Sequence, residues 1–111
     1  MRFTYSSEKL SQARRALMLP HSRGEEASIA EAFEVCDRGF HHLNHKDLDD
    51  SARSWVDKIT QLMDTSGVQD PDNRGKWLVK AESLSVDHRT ELSNAVDELA
   101  HWLDRAFWKD G

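Results

Sequence analysis

One cysteine, Cys36, stands in a chain of 111 residues, so no disulfide can form within it. That fits a reducing compartment. Prolines are as scarce: Pro20 and Pro71 are the two present, which leaves long stretches free to stay helical. No apolar run approaches the length of a signal-peptide core or a membrane span, so a cytoplasmic chain with no membrane contact is expected. Runs of alternating apolar and polar residues are also missing, which argues against a sheet. No glycine-rich phosphate loop occurs.

What is present is charge and large aromatics. Charged residues make up 32% and hydrophobic ones only 38%, a balance close to that of disordered chains. Four Trp, four Phe and one Tyr argue the other way, because each buries a large apolar area. The length fits one domain spanning 1–111, whose folded form buries about two-thirds of the surface of its unfolded chain. The chain is acidic, with a net charge of −5, and the charge is uneven. Residues 1–23 hold Arg2, Lys9, Arg14, Arg15 and Arg23 against Glu8 alone, whereas the remainder carries a net −9. Nucleic-acid binding through Arg14, Arg15 and Arg23 would fall steeply with salt. Attraction of this basic segment to its own acidic body is the better reading, so nucleic acid is not an expected partner.

Helical periodicity runs through nearly the whole chain. After a short arm (1–5) holding Phe3 and Tyr5, a first helix opens at Ser6 or Ser7 and runs to Leu19, with Leu10, Ala13 and Leu17 on one face. Ser22 and Glu25 have the spacing of a capping box for a second helix. Its stripe is Ile29, Ala32, Phe33, Cys36, Phe40 and Leu43. Asp47 is the expected cap of a third helix, with Ala52, Trp55, Ile59 and Met63 inward and Gly67 as its stop. Asp70 and Pro71 read as cap and first residue of a shorter helix carrying Trp77, Ala81 and Leu84. A last helix starts near Ser85 and ends about Trp108, with Leu92, Val96, Leu99, Trp102 and Leu103 inward. Val35, Val56 and Val79 fall outward. The expected fold is all-α: an antiparallel bundle of four long helices plus one shorter helix. A brief echo, Trp55-Val56-Asp57-Lys58 against Trp102-Leu103-Asp104-Arg105, does not extend into a repeat.

The densest chemistry lies between Cys36 and Asp50. Stepping about 100° per residue from Ile29, Cys36 and Phe40 return to within roughly 20° of it, whereas His41, His42 and His45 fall about 120–160° away. Cys36 therefore belongs to the core and cannot share a metal with the histidines. No metal or other cofactor is expected. If an ion bound, Asp37, His41 and His45 would be its ligands, since imidazoles at i, i+4 can chelate. Glu34 and Arg38 are spaced as an i, i+4 pair.

Arg38 and His45, with six residues between them, resemble the arginine–histidine pattern of the helical HEPN ribonucleases. Gly39 stands where that family usually has a polar residue, and Arg15 and His21 satisfy the same loose pattern. The resemblance implies a dimer cleft in which both residues act on RNA, here on a face formed by Arg38, His41 and His45. The remaining candidates are aromatic. Trp108 lies about 160° from the centre of the last helix's stripe, and Trp77 sits among Arg74, Lys76 and Lys80. Large aromatics off a core face serve as interface anchors. The favoured expectation is a non-catalytic protein–protein interaction module, an inhibitor, immunity or antitoxin-like protein or adaptor. It would contact a protein partner or a second copy in a homodimer through Trp77 and Trp108.

Overall fold

The computed structural model describes residues 3–18 and 23–110, the last four of these by backbone alone. The described residues form α1 (Thr4–Leu17), α2 (Glu25–Phe40), a 3-10 turn (His45–Asp47), α3 (Asp50–Met63), α4 (Lys76–Ser83) and α5 (Val86–Asp110), with no strand among them. The all-α expectation holds, with four long helices and one short.

Helix starts differ from the sequence reading where a tertiary contact outweighs a local cap. α1 opens at Thr4, so Tyr5 belongs to its first turn rather than to an arm. Ser6 is used elsewhere: it is buried and its hydroxyl donates to the Gly39 carbonyl at 2.8 Å. α2 begins at Glu25 behind Gly24, whose φ of 98° suits glycine, with no side-chain cap. Ser22, the expected cap, lies outside the described residues. For α3 the cap is Asp49, not Asp47: its carboxylate accepts from the Ala52 N–H at 2.8 Å. Asp47 falls instead in the preceding 3-10 turn. α3 stops at Met63, well before Gly67. α5 starts at Val86, and the Ser85 hydroxyl accepts from the His88 N–H at 3.1 Å.

Cross-helix contacts set the directions. Ser6 meets Gly39, so α1 and α2 run antiparallel. Phe3 meets Trp102 and Arg14 meets Asp97, so α1 and α5 also oppose one another. Asp49 with Trp102, and Lys58 with Glu91, do the same for α3 and α5. α5 thus lies between α1 and α3, α2 between α1 and α4, and α4 touches α3 to close the ring.

The core follows the predicted stripes: Leu10, Ile29, Phe33, Ile59, Leu92 and Leu103 are buried, among others. One inward face was misread. Val56, expected outward, is 3% exposed, while Trp55 is half-buried. The buried set on α3 is Ala52, Val56, Ile59, Leu62 and Met63, a face that leaves Trp55 flanking the core. Val35 and Val79 are half-buried. Gly39 lies where α1 packs close against α2. A Cβ there would sit 3.0 Å from the Lys9 Cβ and 3.2 Å from a Leu10 methyl. Arg89 ties three helices at the other end. Its guanidinium donates to the Ala81 carbonyl at 3.2 Å and to Glu25 at 2.8 Å, and its Nε donates to the Leu84 carbonyl at 3.2 Å.

Candidate functional site

The cysteine–histidine–aspartate segment does not form one site. Cys36 is fully buried, and burial, with the neighbouring Asp37 carboxylate adding to it, pushes the thiol up to about 12. A thiol held that high stays protonated and is a poor nucleophile or metal ligand. α2 ends at Phe40, with His41 as its C-cap residue. Asp37 and His41 remain neighbours, His41 Nδ1 lying 3.8 Å from Asp37 Oδ2 on an exposed face. His45 leaves that series because the helix has ended. It begins the 3-10 turn, which the Asn44 side chain caps by accepting from the Lys46 N–H, and its carbonyl accepts from Arg53 Nε at 3.0 Å. His42 turns to α1, where its ring lies 4.1 Å from that of Tyr5. Among the described residues no three His, Cys, Asp or Glu side chains are grouped to hold a metal. Arg38 pairs with Glu34 at 2.6 Å, as their spacing foretold. The i, i+4 ladder that the sequence supplied for Asp37, His41 and His45 is therefore broken after its second member.

Trp77 occupies a different kind of place. The segment before it is shaped by Asp70, whose carboxylate accepts from the Arg74 N–H at 2.8 Å and the Gly75 N–H at 2.9 Å. Asp70 and Pro71 therefore do not start the helix; they brace a loop that delivers Gly75, with φ 106°, as the residue before α4. Arg74 then reaches along α4 to Glu82 with two bonds, at 2.9 and 2.7 Å. These bonds raise the Arg74 guanidinium and lower the Glu82 carboxyl relative to their ordinary values, so both stay charged.

Held this way, Trp77 is half-buried against the core and walls two open hollows. One, of about 570 Å³, lies between α2 and α4 over Ala27, Ala30 and Leu78, with Glu31 and Glu34 on one rim and Arg74 and Lys76 on the other. The second, of about 470 Å³, lies between the ends of α2 and α3 over Phe40 and Met63, and is bordered by Asp37 and Asp64. Ser66 donates to Asp64 from its N–H at 3.0 Å and its hydroxyl at 2.8 Å, which holds the carboxyl below its ordinary value.

Two tryptophans assigned to the core by periodicity line a further hollow of about 420 Å³. Trp55 and Trp102 are half-buried there, beside Asp49 and Arg105. The Trp102 indole N–H donates to Asp49 Oδ2 at 3.0 Å, so one carboxylate caps α3 and anchors α5. Those bonds, the Ala52 N–H first, lower its pKa. The four-residue echo has a plain cause. Val56 and Leu103 are buried while Asp57 and Asp104 are exposed, the order of any amphipathic helix edge. Trp108 falls within α5, but its side chain lies outside the described residues.

The basic first segment does meet its own body: Arg14 Nε lies 2.6 Å from an Asp97 carboxylate oxygen, and Arg23 lies 4.0 Å from Glu31. Among the described residues no helix is long and apolar enough to cross a membrane. Comparison with protein-family models, curated proteins and solved structures gives no match.

Proposed function

We propose that this chain is a non-catalytic protein–protein interaction module of the cytoplasm, working as an inhibitor, an immunity or antitoxin-like protein or an adaptor, and that it engages a partner protein or a second copy through the α2–α4 face. The observation that carries this reading is the setting of Trp77. One side of the indole packs on the core while the rest walls two open hollows. A large side chain with few rotamers, already half-buried against the core, loses little entropy when a partner covers it. The surrounding charges form exposed pairs that a partner can exchange at small cost.

The RNA-cleaving alternative gains no specific support, since Arg38 turns to Glu34 and the His45 carbonyl to Arg53. Affinity capture from the native host with wild type and Trp77→Ala, alongside sedimentation equilibrium, tests the proposal. A stoichiometric partner, or a dimer, that is lost with Trp77→Ala supports it. RNA turnover that disappears with His45→Ala while capture is unchanged would replace it with the nuclease reading.

A further inference from the structure

The chemistry of the partner can be read from the same face, and this inference rests on the interaction reading above. The two hollows share Trp77 and Thr65 as walls and so adjoin, and together they make a trough lined on the α2 side by residues from Ala27 to Phe40. At 1.5 Å per residue that is about 20 Å, the length of a helix of roughly four turns. We propose that the trough docks an amphipathic helix of a different protein, with lysine or arginine beside its apolar face in its N-terminal half and its C-terminal end in the hollow over Ala27 and Ala30.

The floor supplies the apolar part. Ala27 and Ala30 are small enough for another helix to approach closely, and Trp77, Leu78, Phe40 and Met63 provide apolar surface. The rim supplies the direction. Asp37 and Asp64 border the far hollow, and among the described residues no lysine or arginine lines it. Lys80 acts on Asp64 from α4 and offsets part of that charge. Glu31 and Glu34 continue the acidic wall along α2, and their partners Arg23 and Arg38 hold them in exposed pairs of the kind that contribute little. In the hollow over Ala27 and Ala30 basic side chains join the acidic ones: Arg23, Arg74 and Lys76 line it together with Glu31 and Glu34. A docked helix is positive at its own N-terminus and negative at its C-terminus, so this trough accepts it in one direction.

A second copy of this chain does not fit as the occupant. Its basic amphipathic helix is α1, whose apolar residues Leu10 and Ala13 are already fully buried in the bundle, against α2 and α5.

The test is a display library of random sixteen-residue peptides, selected on the immobilised full chain and rescreened on Trp77→Ala, Glu31→Lys and Asp37→Lys. Circular dichroism confirms that each variant is folded, and the two surface charge changes keep the test decisive if Trp77→Ala loosens α4. Enriched peptides with apolar residues at i, i+3 or i+4 and i+7, with basic N-terminal halves, and losing about tenfold or more in affinity on Asp37→Lys, are the expected result. Peptides that need Trp77 but carry acidic N-terminal halves, or ignore Asp37→Lys, overturn the partner chemistry and leave the interaction reading standing. Selection that yields no Trp77-dependent peptide overturns both.

Discussion

Replacing Gly39 with alanine, then with valine, probes the close approach of α1 to α2. In an exposed helix, glycine to alanine gains about 1 kcal/mol from restricted backbone freedom. Here the new Cβ would meet the Lys9 Cβ at 3.0 Å and a Leu10 methyl at 3.2 Å, both closer than ordinary contact. Lys9 Cβ is fixed to its backbone, so α1 must move away by a few tenths of an ångström. That also stretches the 2.8 Å bond from Ser6 to the Gly39 carbonyl. Overpacking of this kind costs about 2 kcal/mol, within the usual range for one inserted methyl. The net expectation for Gly39→Ala is a loss of about 1 kcal/mol, or a Tm lower by about 4 °C. Valine adds two further carbons and little helix propensity, and its loss should exceed about 3 kcal/mol. Urea unfolding followed by circular dichroism, with unchanged slope, gives the values. If Gly39→Ala proves more stable than wild type, the close approach of α1 and α2 is wrong.

Other expectations follow from single contacts. Arg89→Met should cost about 2 kcal/mol in urea unfolding, because two backbone carbonyls lose a charged donor and Glu25 loses its partner; no change in midpoint would mean that α2, α4 and α5 are not joined there. Asp49→Ala should lower Tm at pH 7 by removing both the α3 cap and the acceptor for Trp102. The folded Asp49 pKa lies below its ordinary 3.8, so the stabilisation is complete above that value and is lost as pH falls through the lowered one. Asp49→Asn should therefore flatten the acid limb of a Tm–pH curve below about pH 4, and an unaltered limb would contradict the assignment. Cys36, with its thiol pushed up to about 12, should resist a disulfide reagent at pH 8 until the chain is unfolded by urea; prompt reaction of the native protein would show that the core around it is open.

The helices were legible in the sequence because burial imposes a period that composition alone cannot hide. Ile29, Phe33 and Cys36, or Leu92, Val96, Leu99 and Leu103, can point one way on a helix only, and they are buried as spaced. Caps were less legible, because several residues in each junction have the right chemistry. Asp47 and Asp49 are equally good candidates on paper; the Trp102 indole, arriving from another helix, satisfies the remaining oxygen of Asp49. Ser6 looked like a cap until Gly39 gave its hydroxyl a buried acceptor. On α3 the predicted stripe took in Trp55 and left Val56 outward, although the smaller Val56 is the one buried among the helices. Trp77 stood out as irregular in the sequence for a physical reason: a loop braced by Asp70, not a regular stripe, positions it. The trough beside it was invisible from spacing, since its walls come from α2, α3 and α4, elements separated in the chain.

The most direct measurement of the interaction reading is photocrosslinking inside native-host cells, with a photoreactive phenylalanine derivative placed at Glu34 on the trough wall or at Asp57 on α3. Both positions are exposed, but only Glu34 lines the trough. A discrete, stoichiometric protein adduct from position 34, lost when Trp77→Ala is added and absent from position 57, is the expected result. Equal adducts from both positions, or none from position 34, would contradict the assignment of this face to a partner.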